Sequence, residues 1–151
     1  MVEPLVATRP RIAALWQQLE EFPYLRQQME IQTPEKLLAR LEDRRAVFFE
    51  NPEHTVMLAA LHIQPGQDAT VYLVAWDHQL SGREPWFRDA LRELFIVAKL
   101  RRVTMVTPDD MRVVLKLARR LGFAWEGILR RGWEHGDLHV NGLLAEELDA
   151  A

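Results

Sequence analysis

The sequence predicts a single α/β domain built around a mixed β-sheet. Its apolar residues change repeatedly between helical spacing and short strand-like runs. Three strand-like segments follow one another near the middle of the chain, which predicts an antiparallel meander. The third of them continues through a helix into a further strand, and the two strands of such a βαβ unit run parallel. A length of 151 residues fits one domain that covers residues 1–151.

The first half of the chain is predicted to form two helices before the meander. A short apolar segment at residues 2–7 is the first strand of the predicted order. Apolar side chains at helical spacing then predict a helix that ends at Pro23. Thr33 followed by Pro34 is typical of an N-cap and a first helical position, so a second helix begins there. The strands of the meander are residues 46–50, residues 56–63 and a central strand that begins at Asp68 and carries the apolar run 71–76.

The second half is predicted to add two helices and three strands. A helix that opens at Pro85 carries an apolar face and leads to a buried strand at residues 103–106. Asp109 or Asp110 is expected to cap a further helix, which Gly122 ends in a left-handed conformation. Strands at residues 123–131 and 138–145 complete the order β-α-α-β-β-β-α-β-α-β-β.

The junction between the central strand and the helix that follows it is the most informative stretch. Residues 77–84 form a loop that contains Gly82 and leads into the helix at Pro85. At such a junction the unpaired N–H groups and the helix dipole favour an anion, most naturally a phosphate. An ordinary strand-to-helix turn with Gly82 at positive φ is the alternative interpretation.

Composition narrows the class of protein. The absence of Cys excludes disulfides, thiolate zinc sites and cysteine nucleophiles, and the His, Asp and Glu residues lack the spacing of a metal site. No apolar run approaches the roughly 20 residues of a membrane helix and no signal peptide is recognised, so a cytoplasmic protein without membrane contact is expected. Basic residues concentrate in residues 97–131, but no aromatic-interleaved basic motif accompanies them, which disfavours nucleic acid as a partner.

Two motifs resemble the GNAT superfamily of N-acetyltransferases. Residues 119–130, RRLGFAWEGILR, are similar to the ending of members that acetylate protein N-termini. Residues 79–84, QLSGRE, are similar to the family's Q/R-x-x-G-x-G/A loop, which binds the pyrophosphate of acetyl-CoA. Together with the element order, the resemblance extends over nearly the whole chain. It implies a GNAT fold with a V-shaped opening between the fourth and fifth strands, at Val74 and Ala75.

The same resemblance implies where acetyl-CoA binds. The backbone of the central strand would hold the pantetheine arm and the thioester carbonyl. The loop amides would hold the pyrophosphate, assisted by the hydroxyl of Ser81 and the charge of Arg83. No metal is expected. The cofactor-binding residues expected are therefore Leu73, Val74, Ala75, Gln79, Leu80, Ser81, Gly82, Arg83 and Glu84.

The resemblance also suggests catalytic residues, together with several departures. Relatives keep a Glu that deprotonates the amine where this chain has Asp68, although a polar hairpin residue is the alternative interpretation. Tyr72 is a candidate donor to the leaving thiolate or the carbonyl oxygen, or else a buried tyrosine with a satisfied hydroxyl. The family's usual Asn and tyrosine acid are replaced by Met111 and Ala118, and Glu84 stands where the family loop has Gly or Ala.

The function expected from the resemblance is an acetyl-CoA-dependent N-acetyltransferase that acts on a primary amine of a protein. A homodimer is left open. The alternative is a GNAT-fold interaction module that has lost catalysis and binds a partner protein, as a similarity to divergent phage-encoded members also suggests. Binding of acetyl-CoA distinguishes the two hypotheses.

Overall fold

The strands of the protein form one mixed sheet in the order β1-β2-β3-β4-β5-β7-β6. In the computed structural model, which describes residues 1–148, the strand pairs are antiparallel except β4 and β5, which run parallel. The α/β fold class is therefore confirmed. The strands are β1 Glu3–Pro4, β2 Val47–Glu50, β3 Val56–Gln64, β4 Asp68–Ala75, β5 Arg102–Pro108, β6 Ala124–Trp133 and β7 Gly136–Leu144.

Helices cover both faces of this sheet. The central strand β4 serves both layers because successive side chains of a strand point to opposite faces. Leu73 joins a core under α4 and α5, whereas Val74 joins a second core under α1 to α3. The helices are α1 Arg9–Gln18, α2 Pro23–Gln28, α3 Pro34–Leu41, α4 Glu84–Ala98, α5 Arg112–Leu121 and α6 Ala145–Leu148, and a 3₁₀ turn at Leu19–Glu21 joins α1 to α2.

The parallel strands β4 and β5 separate soon after they begin. Their register contains only Asp68 opposite Arg102, Ala69 opposite Val103 and Thr70 opposite Thr104. Beyond these positions β4 stays paired with β3 on its other side, and β5 stays paired with β7. The V-shaped opening expected at Val74 and Ala75 is thus present, but it begins nearer the start of β4 than predicted.

Two predicted helix boundaries are wrong. Pro23 does not end the first helix; it occupies the first position of the additional helix α2, where the missing N–H of proline costs no hydrogen bond. Neither Asp109 nor Asp110 caps α5, whose N-cap position is taken by Met111 without a side-chain hydrogen bond. The Asp109 amide instead donates to the backbone oxygen of Asp137 at 3.2 Å, which holds this turn against the β6–β7 hairpin.

Within residues 1–148, the helices are all too short or too polar to cross a lipid bilayer.

Candidate active site between strands β4 and β5

The opening between β4 and β5 is a cleft with a volume of about 260 Å³. The strands β4 and β5 form two sides of the cleft, and the segment from the 3₁₀ turn into α2 forms the third. The cleft extends to the start of α5. The cleft lies at the carboxyl ends of two parallel strands, where ligands bind in many α/β folds. Its lining includes Glu21, Phe22, Tyr24, Leu25, Val71, Tyr72, Leu73, Val74, His78, Met105, Val106, Thr107, Asp110, Met111, Val114 and Trp133.

The β4 wall of the cleft presents backbone groups. The Trp76 amide donates to the Thr55 oxygen on the β3 side at 2.8 Å. Because hydrogen-bonding directions alternate along a strand, the N–H groups of Leu73 and Ala75 face the opposite side, where β5 has moved away. Leu73 and Val74 line the cleft, and Ala75 follows at its rim, where its oxygen accepts from the His78 amide at 3.0 Å.

The loop after β4 brings a further set of backbone donors to the same end of the sheet. Gly82 has a φ of +79°, in the left-handed region that glycine adopts without strain. The buried side chain of Leu80 anchors the loop to the core, while Gln79 and Ser81 are exposed. Within residues 1–148, the amides of Leu80, Ser81 and Gly82 donate to no protein acceptor. This loop therefore offers free N–H groups beside the first turn of α4, as an anion site requires.

Two ion pairs fix the charged side chains of this loop. The Arg83 guanidinium binds both carboxylate oxygens of Asp77, with Nη2 at 2.7 Å from Oδ2, and it also donates to the Gln79 oxygen. The hydrogen bonds from Arg83 lower the pKa of Asp77 to about 2, so this carboxylate stays ionised at physiological pH. Glu84 accepts from Arg88 on the next turn of α4 at 2.9 Å, so its charge is paired within the helix.

Two tyrosines line the cleft, Tyr24 from α2 and Tyr72 from β4. The Tyr24 hydroxyl donates to the Val106 oxygen at 2.7 Å, whereas the Tyr72 hydroxyl has only a long bond of 3.4 Å to Gln28 Oε1. Their rings are 6.3 Å apart. Burial raises the pKa of Tyr24 to about 12, and burial together with the neighbouring Tyr24 raises the pKa of Tyr72. Both phenols therefore keep their proton at physiological pH, and Tyr72 is the one freer to donate it to a ligand.

The mouth of the cleft is formed by side chains from the 3₁₀ turn and from the loop after β4. The His78 ring stacks on Phe22 with centroids 4.9 Å apart, and its Nε2 lies 3.3 Å from Glu21 Oε2. Asp110 adds a second carboxylate to the lining, and Trp133 contacts the Tyr24 ring at 5.2 Å. The mouth thus combines aromatic faces with negative charge, which suits a cationic ligand.

The structure brings together most, but not all, of the residues expected from the sequence. Asp68 lies at the paired start of β4, outside the cleft, and about 13 Å along the strand from Tyr72. Among the tryptophans, Trp133 lines the cleft, whereas Trp86 donates to the Met1 oxygen at 2.8 Å and Trp76 is buried in the core. Ala118 is fully buried, so no acid stands at that position.

Three of the lining residues that the sequence did not indicate come from one segment. This segment surrounds Pro23, where the apolar spacing predicts that the first helix ends. The residues concerned are Glu21, Phe22 and Tyr24. Proline is common at the first position of a helix as well as just after the end of one. Placing Pro23 at a first position predicts a new helix that contains Tyr24. Among residues 1–148, no cluster of three or more His, Asp or Glu residues is arranged to hold a metal ion.

No protein-family model and no curated protein matches the chain. Solved structures do match. A spermidine N-acetyltransferase from Vibrio cholerae in complex with CoA and spermine is 14% identical, with a TM-score of 0.79 and coverage of 97% of each chain. The dodecameric form of that enzyme in an intermediate state is 15% identical, with a TM-score of 0.73 and coverage of 97% of this chain and 94% of that chain. The similarity shows the fold, and the fold expected from the resemblance to the GNAT superfamily is confirmed.

Proposed function

We propose that this protein is an acetyl-CoA-dependent N-acetyltransferase that acts on a small, positively charged primary amine. The observation that carries the proposal is the joint position of two backbone surfaces. One is the β4 edge without a strand partner beyond Thr70, and the other is the loop with free amides at the start of α4. They meet at the same end of the sheet, where β4 leads directly into the loop.

These two surfaces match two parts of acetyl-CoA, the pyrophosphate and the pantetheine arm. The pyrophosphate is an anion and fits the free amides of Leu80, Ser81 and Gly82. The pantetheine arm carries amide groups that hydrogen-bond as a strand does, so it fits the β4 edge left open where β5 diverges. Arg83 is held by Asp77 and therefore orders the loop rather than binding a phosphate. The solved neighbour in complex with CoA supports this assignment.

The reaction requires little beyond positioning and charge stabilisation. An uncharged amine attacks the thioester carbon, and the carbonyl oxygen that gains charge is stabilised by a backbone N–H of Leu73 or Ala75. The C–S bond then breaks, and the thiolate takes a proton. We assign that proton to the Tyr72 hydroxyl, which is neutral at physiological pH and only weakly bonded to Gln28.

The lining of the cleft favours a small amine over a protein as the acceptor. The volume of about 260 Å³ lies just below the range usual for ligand pockets, so only a slender chain fits beside the thioester. Glu21 and Asp110 carry negative charge at the lining, and Tyr24 and Trp133 add aromatic faces that attract ammonium groups. The neighbour that binds spermine supports the same class of acceptor.

The test is a direct assay with a panel of amines. The protein is incubated with acetyl-CoA and spermidine, 1,4-diaminobutane or a hexapeptide with a free N-terminus, and released CoA thiol and acetylated product are both measured. We expect the two polyamines to be acetylated with a higher kcat/KM than the peptide. Preference for the peptide would restore the protein acceptor expected from the sequence. No turnover, combined with no binding of acetyl-CoA at millimolar concentration in calorimetry, would favour the interaction module.

A further inference from the structure

We propose that His78, oriented by Glu21, is the group that takes the proton from the acceptor ammonium. The proposal rests on the proposed function and names a residue that acts in it. His78 belongs to the loop after β4 but also lines the acceptor side of the cleft. It is therefore located between the thioester end of the acetyl-CoA surface and the charged mouth through which an amine enters.

Two contacts of the ring and one backbone hydrogen bond position His78. The ring lies parallel to the Phe22 ring, at 7° and 4.9 Å between centroids. Nε2 is 3.3 Å from the Glu21 carboxylate. The backbone has a φ of +61°, an uncommon conformation for a residue with a side chain, and its N–H is held by the Ala75 oxygen at 3.0 Å. Such a backbone conformation is retained only where surrounding contacts determine it, and it is common at functional sites.

The hydrogen bond to Glu21 also determines which ring nitrogen is basic. An ionised carboxylate only accepts hydrogen bonds, so Nε2 carries the proton in this pair. In the neutral imidazole Nδ1 is then left with a free lone pair. This is the arrangement of a general base whose tautomer is set by an acidic partner.

The other titratable groups around His78 are Asp77, Asp110, the two tyrosines and Glu21. Asp77, the preceding residue, is bound to Arg83, and its pKa is lowered to about 2, so it is a poor proton acceptor. Asp110 approaches the cleft from the start of α5, and Tyr24 and Tyr72 keep their own protons. Glu21 faces the imidazole directly, so its carboxylate lies beside the ring that takes the proton.

The protons balance as follows. The ammonium of the substrate gives one proton to His78 Nδ1 and becomes a free amine. The amine nitrogen bonds to the thioester carbon, the C–S bond breaks, and Tyr72 donates its proton to the thiolate. The second proton of the nitrogen passes to the Tyr72 phenolate, which restores the phenol. Products are the acetamide and CoA thiol, and the imidazolium returns its proton to solvent. No metal, oxidant or reductant takes part.

The experiment is the pH profile of kcat/KM with acetyl-CoA and spermidine, for the wild type and His78→Asn. Asn adopts positive φ readily, so the variant keeps the loop conformation. His62→Asn is the matched control, because His62 also has a positive φ of 54° but is exposed and outside the cleft. Asp68→Asn separates the two candidate bases.

We expect the wild-type profile of kcat/KM to reach a plateau well below the pH at which the free amine of spermidine predominates, because His78 takes the proton of the ammonium. With His78→Asn the plateau should disappear, kcat/KM at neutral pH should fall by about 100-fold, and the rate should follow the free amine up to about pH 10. His62→Asn and Asp68→Asn should keep the wild-type profile.

A plateau that survives in His78→Asn, or one lost in Asp68→Asn instead, would overturn the proposal and leave the acetyltransferase assignment intact. An effect of His78→Asn on KM alone would also overturn it, since the residue would then only bind the ammonium. A wild type that acetylates no amine would contradict the proposed function itself. Thermal unfolding of His78→Asn within a few degrees of the wild type verifies that the variant is folded.

Discussion

The two walls of the cleft are built in different ways. The cofactor wall, which runs from β4 through residues 77–83 into α4, presents backbone N–H groups whose positions are determined by a strand edge, one glycine and a helix start. The acceptor wall, Leu19–Glu21 together with α2, presents side chains. These side chains contact the sheet and the loop after β4. Each contact joins residues that are 44 to 82 positions apart in the sequence, such as Tyr24 and Val106.

This difference implies that the two walls respond differently to substitution. A backbone surface tolerates most side-chain changes but is sensitive to residues that alter its conformation. A side-chain surface is sensitive to single functional groups, and the loss of a hydroxyl or a carboxylate is felt directly. Substitutions that alter the backbone of the first wall should therefore change acetyl-CoA affinity. Substitutions of functional side chains, on the second wall or at Tyr72 and His78 of the first, should change chemistry or amine binding.

The largest effect should follow from Tyr72→Phe, which removes a hydroxyl and no packing. The phenol makes only the 3.4 Å bond to Gln28, so we expect little change in stability. As donor to the thiolate its loss should lower kcat by about 100-fold, measured by CoA release under saturating substrates. Because burial raises the pKa of Tyr72, the wild-type rate should not fall through ionisation of this phenol at pH 10.

Tyr24→Phe is the matched control for that prediction. The Tyr24 hydroxyl is already bonded to the Val106 oxygen at 2.7 Å, so its loss should cost about 1–2 kcal/mol of unfolding free energy and change kcat by less than about threefold. Equal losses of kcat in the two variants would show that neither phenol is the specific donor. Full activity of Tyr72→Phe would assign the proton to solvent.

The next largest effect should come from Gly82→Val on the cofactor wall. The φ of +79° is strained for a β-branched residue, and relief of that strain would move the free amides on either side. The loss of one charge-assisted hydrogen bond is worth about 1.5–3 kcal/mol, so the Kd for acetyl-CoA should rise at least about tenfold in calorimetry.

Gly66→Val separates loss of binding from loss of stability. Gly66 has a nearly equal φ of +77°, and, as at Gly82, an added Cβ would meet no atom within 4 Å. It lies between β3 and β4 at the opposite end of the sheet from the loop. Both variants should lose similar stability, but Gly66→Val should keep its acetyl-CoA affinity. A similar loss of affinity in both would contradict the loop assignment.

The sequence predicted the cofactor wall better than the acceptor wall for a physical reason. A strand, a glycine loop and a helix start are encoded by neighbouring residues, so residues 73–84 are recognisable as a unit. Tyr24, Glu21 and Phe22 acquire their roles only when α2 packs across the sheet. The point where β4 and β5 separate was misplaced because it depends on how far β5 pairs, and no local pattern records that.

The smallest effect should come from Glu84→Gln. From the sequence, a carboxylate in the pyrophosphate loop looked unfavourable for binding an anion. In the structure that carboxylate is bound to Arg88, which also donates to the backbone oxygens of Arg120 and Leu148 and is thereby fixed along α4. Gln keeps the hydrogen-bonding shape and removes the charge. The Kd for acetyl-CoA should therefore stay within about twofold of the wild type at both low and high salt, because screening matters only for charges that face each other across solvent. A tightening of tenfold at low salt that disappears at high salt would mean that Glu84 faces the pyrophosphate after all, and the cofactor wall would then depend on a side chain as the acceptor wall does.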